Sequence, residues 1–414
     1  MTSWRKAYRL TERRRAVWRF KIAAEFHIGT KTARIRTSYI AFVLSRIMLR
    51  SNETTADVGQ AVRQAAKDAG FDLAGIAPVD ASPELEYFPQ WIAEGRAGEM
   101  KYLEGRDEQG RLKRASLAHV APWARSVVVC AINYNTAQPY STQVSDQAAE
   151  ARGRGWISRY AWSGRDYHDS EIERLRRVET AVRNAAGAND VVTRCYVDTG
   201  PIVERVVAKY AGIGWIGKNT CLINQKLGSW LFLGVILTSL ELEAGLPAPD
   251  RCGTCTRCID ACPTDALIAP YQLDSNRCIA YLTIEKRGAI SEDLRSGMGR
   301  HVFGCDICQD VCPWNRKAPA TKMEEFQPRP ELVNPALDWL AEISAEEFRA
   351  TFRGSPLIRT KRTGLRRNAA IAMGNSGDEG FIPLLERMKS DDDEAISESA
   401  TWAIEKLRRA EKSA

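Results

Sequence analysis

Apolar positions alternate between two periods over the first half of the chain. Residues 55–69 place them at helical spacing, and "LAGIAPV" (73–79) follows as a strand. "SVVVCAINYN" (126–135) is a continuous β-branched run, the mark of a buried strand. "SEIERLRRVETAVRNAAG" (170–187) returns to the helical period, with Ser170 placed to cap it and Gly187 near its end. "DVVTRCYVD" (190–198) is a strand ending at Asp198, and "PIVERVVAKYAG" (201–212) is a helix with Pro201 in its first turn and Gly212 at its stop. "CLINQKLGSWLFLGVILTSLEL" (221–242) reads as a hairpin turning at Leu227-Gly228. This alternation predicts an α/β domain over 51–245. Past Pro328-Arg329-Pro330 the pattern turns helical. "LRRNAAIAM" (365–373) matches "ISESATWAI" (396–404) at a shift of 31 residues, aligning Ala369 with Ala400 and Ala372 with Ala403. Small residues there let helices approach closely, as in HEAT-type repeats. So short an array must dock on the rest of the chain.

Composition changes the picture at two places. The formal charge is +7 over 414 residues, but residues 1–50 hold 13 Lys and Arg against Glu12 and Glu25, which leaves the remainder at −4. This basic extension has no clean period; its composition fits a transit peptide or a basic nucleic-acid arm, and it reads as disordered or as a misplaced start, with a true start near Met48. No apolar run reaches the ~18 residues of a membrane span, so no membrane association is expected. Eight of the eleven cysteines fall between Cys252 and Cys312. A large chain without a secretory signal is no disulfide scaffold, so these are thiolate ligands in a reducing compartment. Cys130, within a buried-strand pattern, belongs to the core.

"CGTCTRCIDACP" has the C-x2-C-x2-C-x3-C-P spacing of a [4Fe–4S] loop. In two-cluster ferredoxins the fourth cysteine of such a run ligates the other cluster. A second group is present: Cys278, and Cys305, Cys308 and Cys312 in "CDICQDVCP". Cross-ligation assigns Cys252, Cys255, Cys258 and Cys312 to one cluster. Cys262, Cys278, Cys305 and Cys308 go to the other. Structural zinc fits the spacing poorly. The 26 residues between Cys278 and Cys305 exceed a plain ferredoxin and either cover a cluster or reach toward a substrate.

The electron acceptor is less plain. "GIGWIG" (212–217) matches G-x-G-x-x-G but follows a helix, so it is a helix stop and a close-packed loop rather than a dinucleotide site. Four histidines are too few and too scattered for a three-histidine metal centre. Polar candidates gather in "SRYAWSGRDYHD" (158–169) and "YVDTGPIVERVVAKYAGIGWIGKNTCLIN" (196–224). Asp198, at the end of a strand, is either an active-site carboxylate or a helix cap.

Together "ISRYAWSGRDYH", "VDTGPIVERVVAKYAGIGWIGKNTCLIN", "GSWLFLG", the cysteine runs and "CIAYLTIEKRGAI" resemble epoxyqueuosine reductase over about 51–414. The resemblance implies an α+β multidomain chain: a reductive-dehalogenase-like α/β cobalamin-binding catalytic domain (51–245), a ferredoxin-like double [4Fe–4S] domain (246–320) and an α-helical HEAT-like tRNA-binding domain (321–414). It implies a cytoplasmic reductase that removes the epoxide oxygen of epoxyqueuosine at the wobble position of tRNA, using cobalamin and two clusters. Asp198 matches the family's proton donor; as an acid near neutral pH it would need its pKa raised by burial or nearby negative charge. Arg159 and Tyr160 match the loop that approaches the corrin. Ile307 and Cys308 bring the second cluster against it, and Lys218, Asn224 and Arg114 are further corrin candidates. "DYHDSE" has Glu171 where a histidine-ligating cobalamin motif needs Gly, so the lower cobalt face is not held by a protein histidine.

"RGSPLIRTKRTGLRRN" (353–368) supplies Arg353, Arg359, Lys361, Arg362, Arg366 and Arg367 as a phosphate-binding patch for tRNA. An external low-potential donor would feed the clusters, and nothing demands more than a monomer. Two other classes compete. A respiratory dehalogenase would carry a twin-arginine export signal and no helical tail. An electron-transfer module would not need the domain that carries Asp198.

Overall fold

The computed structural model describes residues 58–79, 82–143, 153–185 and 190–411. The basic extension and Gly187 lie outside them. The chain separates into two units, Met1–Thr55 and Ala56–Ala414, and all described residues belong to the second.

The elements used below are α1 (58–68), β1 (Leu73–Pro78), β2 (Ser126–Asn133), α2 (Tyr167–Ala185), β3 (Thr193–Tyr196), α3 (Glu204–Tyr210) and β4 (Leu231–Thr238). The four strands form one sheet in the order β1-β2-β4-β3, and every pairing in it is antiparallel. The alternation of strands and helices was expected to give an α/β domain; the strands do not run parallel because β2 and β4 enter from opposite ends. Both faces are nonetheless covered, which is why β2 is buried at all eight positions. Val128, Cys130 and Ile132 pack with Val62 of α1 and with Leu175, Val178 and Val182 of α2. Val127, Val129 and Ala131 alternate to the other face and meet Val207 and Ala208 of α3. Two glycines permit the close layers: a Cβ on Gly234 would sit 3.2 Å from the Leu175 side chain, and one on Gly75 would sit 2.1 Å from the Ala211 carbonyl oxygen.

Three local readings need correction. α2 begins at Tyr167, so Ser170 is a buried residue inside the helix rather than its cap. α3 begins at Glu204 with Val203 before it, so Pro201 precedes the helix; Gly212 does end it, at φ +77°. The hairpin through Leu227-Gly228 is a turn closed by Asn224 and Gly228. Its first arm, Leu222–Ile223, pairs back with Trp215–Ile216, leaving β4 as the lone long strand.

The cysteine segment contributes short helices α4 (Arg257–Asp260), α5 (Ile279–Ile284) and α6 (Ile307–Asp310), and the strand His301–Phe303. That strand pairs in parallel with Trp156–Ile157. The tail adds α7 (Leu337–Glu342), α8 (Ala345–Phe352), α9 (Lys361–Ser376), α10 (Ile382–Met388) and α11 (Glu394–Glu411). Ala369, Ala372, Ala400 and Ala403 are all 0% exposed. A Cβ on Gly374 would lie 2.8 Å from the Ala403 backbone, so α9 and α11 meet at small residues. Their core is continuous with Ile157, Trp162, Val302 and Phe303. The tail is therefore seated on the cysteine segment and the 156–162 loop.

Candidate active site and cluster centre

The cluster segment assembles first. α4 and α6 pack against each other, bringing the two cysteine runs together. Cys258 feels Cys252 and Cys255, and Cys312 feels Cys252 and Cys258. Cys278, Cys305 and Cys308 feel one another, and Cys262 acts on the first two. Thiols 252/255/258/312 thus influence one another, as do 262/278/305/308, while Cys221 acts on Cys278, Cys308 and Cys312 of both groups. Burial is the largest influence raising Cys258, Cys278, Cys305 and Cys312, and the neighbouring thiols add to it. Crowded buried thiols of this kind call for a cationic iron core to take them as thiolates. Among the described residues no three His, Cys, Asp or Glu could hold a single metal ion; a cube spreads its ligands over four corners and needs wider spacing. Trp215 and Trp314, edge to face at 5.0 Å, cover the first group beside Cys252 and Cys312.

Two proposed corrin residues serve this segment or its surroundings. Lys218 donates from Nζ to the Gly253 and Cys255 carbonyls, at 2.7 and 2.9 Å, and so braces the first cysteine loop. Asn224 bonds the Ile213 carbonyl and accepts from the Lys226 and Leu227 amides, which builds the turn. The side chains of both are occupied by structural duties. Asn219, not singled out from sequence, donates to the Cys308 carbonyl at 3.2 Å. Cys221, a ninth thiol, lies beside Cys308.

The second constellation surrounds Asp198. Asp198 lies in the left-handed region at φ +53°, a conformation Asp tolerates better than most residues. It is no helix cap, since α3 starts at Glu204. Gly200 completes the turn; a Cβ there would strike the Tyr196 ring at 2.5 Å. From the first turn of α2, Tyr167 donates its hydroxyl to Asp198 Oδ2 at 2.8 Å. His168 Nε2 stands 3.8 Å from the same oxygen, while its Nδ1 bonds Asp166 at 2.7 Å. Burial pulls His168 down, but bonds and charges from Asp166 and Asp198 outweigh it and hold the imidazole at about 9. It is therefore an imidazolium at neutral pH. Burial pushes Asp198 up, but His168 and Tyr167 stabilise its anion and leave it below the ordinary carboxylate range. The expectation of a raised Asp198 is thus reversed in this arrangement: the proton resides on His168, next to a carboxylate placed to accept it.

Asp198 is 66% exposed, yet burial is the largest single influence on it. The carboxylate is therefore open to water while protein atoms surround it on several sides. Glu204, whose Oε1 is buried without a partner, is raised to about 7 by burial and by Asp198. Glu171, 0% exposed, is raised by burial to about 8 and is neutral at pH 7.

The 158–160 loop links Asp198 to the second cysteine group. Asp306, next to Cys305, accepts from Ser158 Oγ and, at 2.6 Å, from the Arg159 amide. Tyr160 packs at 6.0 Å from the rings of both Tyr167 and Phe303, and Asp198 acts on its hydroxyl. Arg159 differs from expectation. Its side chain is 3% exposed, with its guanidinium 4.7–5.1 Å from the rings of Tyr140, Trp162 and Trp230 and bonded to the Thr136 and Gln138 carbonyls. It holds the loop from behind, and only its backbone remains near the opening. Arg114 reaches the opening's rim, donating to the Tyr102 and Gly200 carbonyls at 2.7 and 3.0 Å.

The basic run divides in two. Arg353, Arg359 and Lys361 are exposed. Arg367 is 2% exposed and donates to the Leu282, Lys286 and Gly288 carbonyls at 2.7–2.9 Å. It clamps the 279–304 insertion to α9 and cannot meet a phosphate. Arg366 is spent on Asp391 and the Ala341 carbonyl. Arg362 Nε bonds the Ile343 carbonyl. A cavity of about 600 Å³ lined by Tyr140, Arg257, Asp260, Asp310 and Arg316 shares no residue with the Asp198 opening.

Comparison with known proteins bears on both constellations. A family model described as "4Fe-4S double cluster binding domain" matches residues 251–315, and one described as "Epoxyqueuosine reductase QueG, DUF1730" matches 114–199. An epoxyqueuosine reductase of Xanthomonas campestris pv. campestris is 38% identical over 87% of this chain and 99% of its own. One of Gloeobacter violaceus is 42% identical over 77% of this chain and 96% of its own. A crystal structure of epoxyqueuosine reductase with an epoxyqueuosine-modified tRNA-Tyr stem loop aligns at a TM-score of 0.73 and 32% identity, covering 84% of this chain and 89% of that one.

Proposed function

The chain belongs to the epoxyqueuosine reductase family, and from that premise we propose that it reduces epoxyqueuosine to queuosine at the wobble position of tRNA, in the cytoplasm and as a monomer. The reaction takes two electrons and two protons and releases the epoxide oxygen as water. The clusters are assigned to Cys252, Cys255, Cys258 and Cys312 and to Cys262, Cys278, Cys305 and Cys308, fed by an external low-potential donor. Cobalamin would lie at Asp198, against Tyr160 and beside the segment carrying Ile307 and Cys308. When bound and reduced it supplies a strong nucleophile and a one-electron relay.

The residues of the chain do the rest. Asp198 receives the His168 proton and passes it to the departing oxygen. The second proton of the released water follows by the same route once solvent has reprotonated His168, and Tyr167 fixes the carboxylate's direction. Covering Asp198 with corrin and base excludes water, which weakens the Asp198 anion and favours the transfer. The HEAT-like tail holds the insertion in place through Arg367, and the exposed Arg353, Arg359 and Lys361 face the phosphates of the anticodon arm.

One observation carries this reading. A water-exposed carboxylate beside an imidazolium acts on Tyr160 of the 158–160 loop, which Asp306 ties to the second cysteine group. The test is anaerobic reconstitution with iron, sulfide and cobalamin, then incubation with a modified stem loop and reductant. The RNA should lose the mass of one oxygen atom. An unchanged mass with fully loaded protein rejects the reading.

A further inference from the structure

Tyr102 is an aromatic residue left 49% exposed and tied through Arg114 to the Asp198 turn. The Arg359 guanidinium lies 5.3 Å from its ring centroid and that of Arg114 lies 5.7 Å away. All three are within electrostatic reach of Asp198. The arrangement is held from several sides. The Glu99 amide donates to the Tyr281 hydroxyl at 2.8 Å, anchoring the segment before Tyr102. Arg359 Nε pairs with Glu285 at 2.6 Å, and Arg287 donates to the Arg359 carbonyl at 2.9 Å. Arg114 ties Tyr102 to Gly200 in the Asp198 turn. Four distant stretches of chain thus fix one ring and two cations beside the reacting carboxylate. Packing alone does not account for a tyrosine half open to water with two arginines layered on it.

We propose that Tyr102 and Arg359 form a stacking platform for a nucleobase next to the modified one, with Arg114 and Arg359 neutralising the intervening phosphate. This rests on the tRNA reading above. Splayed bases of single-stranded loops stack on aromatic rings and guanidinium planes alike. A ring and a guanidinium held together offer a base two surfaces on which to stack. Holding the neighbouring base outside the opening directs the wobble base inward.

The test uses reconstituted full-length protein and an epoxyqueuosine stem loop carrying 2-aminopurine on either side of the wobble nucleotide. Wild type should quench one of the two probes on binding. Tyr102→Leu should abolish that quench and weaken affinity by about 5- to 100-fold, the weight of one base stacked on an aromatic ring. Tyr102→Phe should retain both. Arg359→Lys should weaken the quench, since it keeps the charge but loses the plane. Iron content and melting temperature of each variant control for folding. If Tyr102→Leu binds and quenches as wild type does, the platform is wrong while the tRNA reading stands. If that variant keeps RNA affinity but loses corrin absorbance, the ring serves the cofactor and the platform is overturned. If wild type binds no stem loop, the tRNA reading falls and takes the platform with it.

Discussion

The cysteine segment and the Asp198 opening lie side by side but are built in opposite ways. The eight thiols come from one 61-residue stretch, and their environment is made by burial and by each other. The opening draws on Tyr102, Arg114, Tyr160, Asp198 and Arg359, each from a different turn, helix or loop, and on Tyr167 and His168 from the first turn of α2. Its chemistry is set by unlike neighbours: an imidazolium against a carboxylate, guanidinia against a phenol ring. A cluster needs four equivalent ligands at fixed spacing, which a short motif encodes. Proton delivery needs unequal groups whose affinities are pushed apart, which only the folded arrangement supplies.

The sharpest way to break the contrast is to remove one thiol. Cys305→Ser should abolish turnover and leave about four irons per chain in place of about eight, with Asp198 chemistry untouched. Full iron content in that variant would show that Cys305 is not a ligand.

His168→Gln tests the other region. His168 is held at about 9, above its ordinary 6.5. Its charged pairing with Asp166 and Asp198 therefore stabilises the fold fully below about pH 6.5, and that contribution is lost as pH rises through about 9. Turnover should fall over the same alkaline limb. The variant should lose about tenfold in rate at neutral pH, the scale of one charge-assisted hydrogen bond, and should lose that limb. A pH profile identical to wild type would remove His168 from the proton path.

The smallest effects separate the two kinds of arginine in the tail. Arg367→Met should leave buried carbonyls unpaired and destabilise the fold by about 2–4 kcal/mol, read as a lower Tm, with the salt dependence of RNA binding unchanged. Arg353→Ala should keep Tm and reduce the slope of log affinity against log salt by about 1. Reversed results would return Arg367 to the RNA face.

These differences explain what could be read from the sequence. The cysteine spacing encodes its own geometry, and so does the strand pattern of β2, buried at every position because helices cover both faces. The direction of the strands did not follow from the alternation, because connections of ordinary length serve antiparallel pairs as well as parallel ones. "RTGLRRN" reads as a solvated basic run because local sequence does not say that α9 is the central helix of its layer. Arg367 and Asn368 point inward to satisfy the carbonyls of the insertion. Asp198 was legible as a candidate, but its protonation was not. His168 comes from 30 residues earlier in the chain, and no period or motif joins the two. Tyr102 carried no signal at all beyond being an aromatic in a charged stretch.

The central claim is that Asp198 delivers the proton, independently of the clusters that supply the electrons. Single-turnover conversion of a modified stem loop by Asp198→Asn, loaded to the same iron and cobalamin content as wild type, tests it most directly. The account predicts a rate lower by about 10²–10⁴-fold, the range of a lost general acid, at every pH between 6 and 9. Conversion at the wild-type rate would contradict it.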